Sequence, residues 1–297
     1  MTQTPQLGVR EVVATPPAPL RRAWGRRQVL DLDNYSPAEI EEVLHNSAVM
    51  KEVLQRDIRK VPTLRGKSIA TLFMEPSTRT RVSFEQAGKI LSADVINVPG
   101  NGSSAEKGES LYNTALTLQA MNTDIIIIRH PHAGAPHFLA RHLESCVINA
   151  GDGSHAHPTQ ALLDLFTIRS KLGKIKGLRV AIIGDILYSR VARSGLWGLT
   201  KMGAHVVLCA PPTLMPQDFV NGYRSTKGHP LASVQIEARV EHALEDADVV
   251  MALRLQLERQ GSGHLPTVRE YSRMYGITSQ RLQLAKPGAL VMHPGPM

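Results

Sequence analysis

The sequence predicts an α/β protein made of two doubly wound parallel-sheet domains. Three observations carry that expectation. Short runs such as residues 125–128 are continuously apolar, as strands covered on both faces are. Such runs alternate with stretches of helical periodicity. The alternation occurs twice, in sets of similar size, and 297 residues suffice for two medium domains, each with its own core.

The elements follow in order. Residues 1–27 hold Pro5, Pro16, Pro17 and Pro19 and no apolar period, which predicts a disordered tail. Ser36, Pro37 and Glu39 open a helix, with Ser36 as N-cap, Pro37 at the first helical position and Glu39 completing a capping box. Residues 67–74 read as a strand. The turn Glu75-Pro76-Ser77 leads into a helix from Thr78 whose apolar face is Phe84, Ala87 and Leu91. A strand at 94–98, a polar loop at 101–108 and a helix at 109–121 follow. Strands are expected at 124–129 and 146–150, then a helix over Pro158–Leu172 with Leu162, Leu165, Phe166 and Ile168 on or near one face. The second half continues the alternation, with a strand at 178–183, a helix at 191–202, a strand at 205–210, and further strands at 248–253 and 289–293. No fixed-period repeat is found. The expected division is a tail at 1–27, a first domain at 28–158 and a second at 159–297, with a hinge near 157–163.

Composition narrows the function classes. The apolar fraction is 42% and aromatics are 4%, so the core should be aliphatic. No apolar run is long enough for a membrane span. Cys146 and Cys209 lie in strand-like runs and read as two buried thiols, which fits a reducing cytoplasm rather than a disulfide framework. The net charge of +8 is mostly spread along the chain, the exception being Arg21, Arg22, Arg26 and Arg27. A nucleic-acid surface is therefore not expected, whereas anionic small substrates suit the excess charge.

In open α/β sheets ligands bind beyond the carboxyl ends of strands. The unusual polar residues fall there. Ser77, Thr78, Arg79, Thr80 and Arg81 follow the first strand, and Arg129 ends another. His157 and Gln160 follow 147–150, Arg190 follows 183–185, Arg254 and Gln256 follow 249–253, and Pro294, Gly295 and Pro296 follow the last. Within Glu75-Pro76-Ser77-Thr78-Arg79-Thr80-Arg81, free N–H groups at a helix start, three hydroxyls and a planar guanidinium make a phosphate cradle without a Walker lysine. The competing reading is an ordinary Ser N-cap with a solvated basic face. His155-Ala-His157 suggests metal, but no recognisable ligand set accompanies it. Arg254 could answer a ligand carboxylate or a structural acid. Lys107 sits in a Ser/Gly-rich loop that by default is a solvated turn. Gly184-Asp185 lacks the rest of a dinucleotide fingerprint.

The segment SIATLFMEPSTRTRVSFE resembles the carbamoyl phosphate signature of the aspartate and ornithine carbamoyltransferase family. The resemblance extends from about Arg27 to Met297, through SSAEKGES, IRHPHAGAPH, NAGDGSHAHPTQALLDLFTI, GDILYSRVARS, LRLQLER and MHPGPM. It implies the carbamoyltransferase fold and transfer of a carbamoyl group from carbamoyl phosphate to an amine, without metal or organic cofactor. Ser77, Thr78, Arg79 and Thr80 would hold the phosphate. Arg129, His157 and Gln160 would bind the carbamoyl end, and Gly295 and Pro296 would line the site through their backbone. Arg190, Arg254 and Gln256 would take the second substrate. Arg79, Thr80, Lys107, Arg129 and His157 would serve the chemistry. Ser103 and Lys107 would reach into the site of a neighbouring subunit, because the family works as a trimer with shared sites. Regulatory chains or a dihydroorotase are possible further partners. Ornithine-specific members carry a His-Cys-Leu-Pro segment where this chain has His293-Pro294-Gly295-Pro296, and a cationic acceptor would call for acids where Arg190 and Arg254 stand. L-aspartate is thus the expected acceptor. A non-catalytic scaffold subunit is the alternative, although none of the signature residues is lost. Family members usually continue into a terminal helix beyond the segment matching 292–297, and that helix is expected to be missing here.

Overall fold

The computed structural model describes residues 25–100, 109–216, 221, 228–257, 259 and 267–295. The first sheet comprises β1 (Ser68–Phe73), β2 (Asp94–Pro99), β3 (Ile125–His130) and β4 (Cys146–Asp152), all parallel, in the order β2-β1-β3-β4. The second comprises β5 (Arg179–Ile183), β6 (His205–Cys209), β7 (Gln235–Glu237), β8 (Val249–Ala252) and β9 (Leu290–Met292), also parallel, in the order β7-β6-β5-β8-β9. In each, the chain leaves a central strand to one side and later returns to the other. The switch points are β1/β3 and β5/β8, where an α/β sheet opens a crevice at its carboxyl edge.

Helices cover both faces, as parallel sheets require. On the first sheet, Ala70, Leu72, Ile126 and Ile128 point one way, packing with residues of α3 (Leu111–Ala120) and α4 (Ala135–His142). Ile69, Phe73 and Ile127 point the other way, toward Phe84 of α2 (Thr78–Ile90). The helical period foresaw Phe84, but Ala87 is exposed and Gly88 is the buried residue of α2. A Cβ on Gly88 would meet Val95 Cγ2 at 2.6 Å, so the helix lies on the sheet through its smallest residue.

On the second sheet, Val180, Ile182, Val206, Leu208, Val249 and Met251 form the largest core with α5 (Pro158–Leu172) and α6 (Arg190–Lys201). Leu32, Tyr35, Ile40 and Leu44, from before and within α1 (Pro37–Val53), complete it. The amino-terminal segment therefore packs on the core of the second sheet. Ala181, Ile183, Val207 and Val250 face α7 (Val240–Leu244) and Tyr275 at the end of α8 (Val268–Tyr275); α9 (Ser279–Leu282) follows.

The capping box of Ser36 and Glu39 is present with Pro37 at the first turn. Arg26, grouped with the tail by sequence, donates to Glu39 at 3.0 Å and Asn34 at 2.9 Å and lies over the Tyr35 ring. Residues 1–24, and the polar loop at 101–108 with Ser103 and Lys107, lie outside the described residues. Cys209 is buried, and burial pushes its thiol up to about 12. Cys146 is only half-buried and donates to the Arg27 carbonyl at 2.8 Å, which corrects the reading of two buried thiols. Among the described residues no helix is long and apolar enough to cross a membrane.

Candidate active site

The carboxyl edges of the two sheets meet around a cavity of about 180 Å³. Ser77, Arg79, Thr80, Arg129, His157, Gln160, Arg190, Arg254, Gln256 and Gly295 line it, with Ser189, Val191, Arg259 and Pro294. Ten of the sequence-predicted site residues thus converge from six separate stretches of chain. Thr78 is exposed and faces a neighbouring depression lined by Phe73, Met74, Glu75, Pro76, Ser77, Arg81 and Gly100. Ser103, Lys107 and Pro296 lie outside the described residues.

Ser77 is the N-cap residue of α2, yet its side chain makes no capping bond to the helix. This differs from Ser36, Ser110 and Ser189, whose hydroxyls cap their own helices. The amino end of α2 therefore keeps unsatisfied N–H donors beside the cavity, the arrangement that favours an anion. Arg79 reaches across the crevice and donates to the Pro294 carbonyl at 2.9 Å, tying the first turn of α2 to the segment after β9.

Five guanidinium groups line the cavity: Arg79, Arg129, Arg190, Arg254 and Arg259. Three of them are held by one carboxylate that sequence reasoning treated as a turn residue. Glu75 accepts from Arg129 at 2.8 Å, from Arg190 at 2.8 and 3.0 Å, and from Arg259 at 3.1 Å. Burial would raise the Glu75 carboxyl, but the hydrogen bond and charge of Arg190, then those of Arg129, outweigh it and hold it at about 2. Glu75 stays ionised and fixes the spacing of cations that would otherwise repel one another. The arginines keep donors for a ligand, because one carboxylate cannot saturate three forks of five N–H groups each.

Arg129 also donates to Thr80 at 3.4 Å and to the Ala150 carbonyl at 3.5 Å, and its Nε is buried without a partner among the described residues. Burial, then the charge of Arg190, lowers it to about 10, so it remains a cation at neutral pH. Arg190 lies at the start of α6, 5% exposed, and donates to the Gly153 carbonyl at 3.1 Å. Its guanidinium lies against Gly151, where φ is +116° and an added Cβ would come within 3.0 Å of the guanidinium carbon. Only glycine suits both the backbone conformation and that approach.

His157 is the N-cap residue of α5 and is 8% exposed. Burial first, then Arg190 and Arg129, lowers it to about 3, so the ring facing the cavity is neutral. Its backbone N–H donates to Ser194 at 2.9 Å, and Ser194 donates to the buried Asp31 at 2.8 Å. Gln160, one turn into α5, donates to Asp164 at 2.9 Å. Burial pushes Asp164 up to about 7, against the opposing hydrogen bond from Gln160.

In the second sheet, buried Asp185 accepts from Tyr188 N and Gln256 N, each at 3.0 Å. It thereby ties the loop after β5 to the loop after β8 and sets Gln256 beside Arg190. Arg254 is exposed at the rim, so the desolvation cost that made its burial questionable does not arise. His155 and His157 diverge, His157 toward the cavity and His155 onto Asp152 at 3.0 Å. His137, Asp152 and His155 place potential ligand atoms within 4.8 Å of one another. The Asp152 oxygens already accept from Gly134 N, Asn149 Nδ2, Ala156 N and His155, so Asp152 and His155 form a hydrogen-bond knot bracing the segment that carries His157, with the His137 ring packed edge-on against His155.

Glu75, Arg259, Asp31, Asp164 and Ser194 are the residues sequence reasoning missed. Arg259 lies within the LRLQLER segment, and its basic charge just beyond a strand was the available signal. The others show themselves only through partners distant in sequence or, for Asp164, through burial.

Comparison with known proteins follows the same outline. Residues 27–170 match the family described as "Aspartate/ornithine carbamoyltransferase, carbamoyl-P binding domain", and residues 176–297 match its "Asp/Orn binding domain". The aspartate carbamoyltransferase catalytic subunit of Roseiflexus sp. (strain RS-1) is 56% identical over 278 residues, 93% of this chain and 85% of that protein. Its counterpart from Heliobacterium modesticaldum is 54% identical over 275 residues, again 93% and 85%. The crystal structure of Trypanosoma cruzi aspartate transcarbamoylase with carbamoyl phosphate superposes with a TM-score of 0.82 at 30% identity, covering 94% of this chain and 88% of that one. The same enzyme with N-(phosphonacetyl)-L-aspartic acid gives 0.80 at 30% identity, covering 95% and 87%. By profile, by identity over most of its length and by fold, the chain belongs to the aspartate/ornithine carbamoyltransferase family.

Proposed function

We propose that this chain transfers the carbamoyl group of carbamoyl phosphate to the α-amine of L-aspartate, giving N-carbamoyl-L-aspartate and phosphate for pyrimidine synthesis. The observation that carries the reading is the cavity itself, with five arginines on its wall and no carboxylate among its described lining residues. Both proposed reactants are anions, and together they bring a phosphate and two carboxylates to match those cations. Relatives that share most of the chain are named for this activity, and a structural neighbour was crystallised with carbamoyl phosphate, alone and together with aspartate.

In this reading Ser77, Arg79 and Thr80, with the N–H groups opening α2 and that of Thr78 among them, hold the phosphate. Arg129, His157 and Thr80 donate to the carbamoyl oxygen, and the acceptor end of Gln160 takes an N–H of the carbamoyl amide. Arg190, Arg254 and Gln256 grip the aspartate carboxylates, while Gly295 closes the wall, where Pro296 would join it. The neutral α-amine attacks the carbamoyl carbon and forms a C–N bond. Negative charge then gathers on the carbamoyl oxygen, where donors fixed in advance lower the barrier by about 3 kcal/mol each. The tetrahedral intermediate collapses by breaking the bond from the carbamoyl carbon to the bridging phosphate oxygen. The departing phosphate takes the bond pair, and one of its oxygens can accept the proton the amine gives up. His157, neutral across the working range, donates a hydrogen bond without supplying charge. Ser103 and Lys107 of a neighbouring subunit would complete the site in a homotrimer, in the cytoplasm, with regulatory chains or a dihydroorotase as candidate further partners. Residues 28–158 and 159–297 would serve as the carbamoyl-phosphate and aspartate domains.

The test is carbamoyl-aspartate formation by purified protein given carbamoyl phosphate and L-aspartate, with L-ornithine in parallel. Turnover with aspartate and none with ornithine is expected. A folded protein that is inactive with aspartate, or that prefers ornithine, overturns the reading.

A further inference from the structure

Asp164 stands one helical turn after Gln160 on α5, is 7% exposed, and accepts the Gln160 amide N–H at 2.9 Å through Oδ1. Its Oδ2 is buried and has no hydrogen-bond partner among the described residues. A half-satisfied acid inside a helix–sheet core is costly, and buried polar groups in this condition call for an explanation. The polar group it does hold is the side chain that lines the cavity next to His157 and Arg129.

A primary amide is an acceptor at one end and a double donor at the other. The Asp164 carboxylate, ionised above its titration near 7, holds the NH2 end and so turns the carbonyl oxygen of Gln160 away from itself and toward the cavity. The flipped amide would set that oxygen against the Asp164 carboxylate, acceptor against acceptor. We infer that Asp164 is a positioning residue which locks the Gln160 amide carbonyl-inward, so that the site selects a phosphorylated acyl group bearing –NH2 over one bearing –CH3. This rests on the function proposed above and deepens it. Carbamoyl phosphate and acetyl phosphate share charge and nearly share shape, so the phosphate cradle cannot separate them. A buried acceptor that needs an N–H can, because the methyl analogue leaves it unpaired.

Asp164→Asn keeps the shape and removes the charge that dictates the flip. Three quantities decide the matter: KM for carbamoyl phosphate, the inhibition constant of acetyl phosphate competing with it, and the Kd of inorganic phosphate. In D164N the KM for carbamoyl phosphate should rise about tenfold, while the constants for acetyl phosphate and inorganic phosphate should move by less than about twofold. In a Gln160→Ala background, adding D164N should change none of the three. Equal weakening of all three ligands in D164N, unchanged discrimination in folded D164N, or an undiminished effect of D164N beside Q160A would each overturn the inference. Asp164→Ser is read by the same criteria if D164N does not fold. Wild-type protein must itself bind carbamoyl phosphate at least about tenfold more tightly than acetyl phosphate, and absence of that preference overturns the inference without any variant. A wild type that makes no carbamoyl aspartate defeats the proposed function instead, whereas an active wild type whose D164N form discriminates equally well defeats only the role of Asp164.

Discussion

At the residue scale, the site depends on cations kept apart by geometry. Arg79 touches the rest of the protein through the Pro294 carbonyl and otherwise faces the cavity. Arg79→Ala should therefore lower turnover by about 100- to 1,000-fold, the effect of removing one preorganised donor, and leave the thermal midpoint nearly unchanged. Steady-state assay and a melting curve check this, and near-normal turnover would contradict the cradle. Glu75→Ala acts differently, because it leaves Arg129, Arg190 and Arg259 facing one another without a counter-charge. Breaking a largely buried ion network from one side costs about 3 kcal/mol, so denaturant unfolding should show a loss of that size together with lost activity. Arg79, Arg129, Arg190 and Arg254 were legible in the sequence because each ends or follows an apolar strand, whereas Arg259 lies further along its loop and was missed. Glu75 was not, since its partners lie 54, 115 and 184 residues away and its own neighbours spell only a turn.

At the scale of elements, segments with a strong apolar pattern were readable, down to the four residues of β8 and the three of β9, and most short ones without such a pattern were not. The strand ending at Phe73, the helix over Pro158–Leu172 and the strands around Ile126 and Val207 stand where their apolar patterns place them. Helix α4, strand β7 and helices α7, α8 and α9 escaped, because three to eight residues hold too few apolar positions to define a period. Packing, not local preference, makes them regular. Helix α2 shows the same point on a longer element: its buried contact is Gly88, which carries no side chain to signal burial. Strand β4 ends in the turn that seats Arg190, and Gly151 is the point where that guanidinium lies against the backbone. Gly151→Ala sets a Cβ both in a left-handed backbone conformation and against the Arg190 guanidinium. It should cost about 1–3 kcal/mol of stability and raise KM for aspartate more than KM for carbamoyl phosphate. Unchanged stability with both KM values intact would contradict this account of the turn.

At the scale of the molecule, two sheets are joined through α5, with α1 packed beside it on the core of the second sheet, so each sheet's switch point faces the other. Global stability should record the neutral His157 at this junction. Its folded-state value is depressed from 6.5 to about 3, so the contribution is intact above pH 6.5 and is lost as pH falls toward 3. Within that window the unfolded chain binds up to one more proton than the folded one. His157→Asn should therefore make the stability–pH slope shallower by up to about 1.4 kcal/mol per pH unit; parallel slopes would show that the imidazole titrates normally. The proposed sharing of sites predicts that Arg79→Ala and Lys107→Ala chains, each inactive, regain activity when mixed under exchange conditions. No recovery despite demonstrated subunit exchange would contradict site sharing.

The proposed activity requires a cavity that holds a phosphate and an aspartate side by side. The most direct measurement is thermal unfolding of the purified chain with phosphonoacetyl-L-aspartate and, separately, with phosphonoacetyl-L-ornithine. A rise in midpoint that grows with the concentration of the aspartate compound, with no rise from the ornithine compound, is the predicted result. Equal protection by both, or by neither, would contradict it.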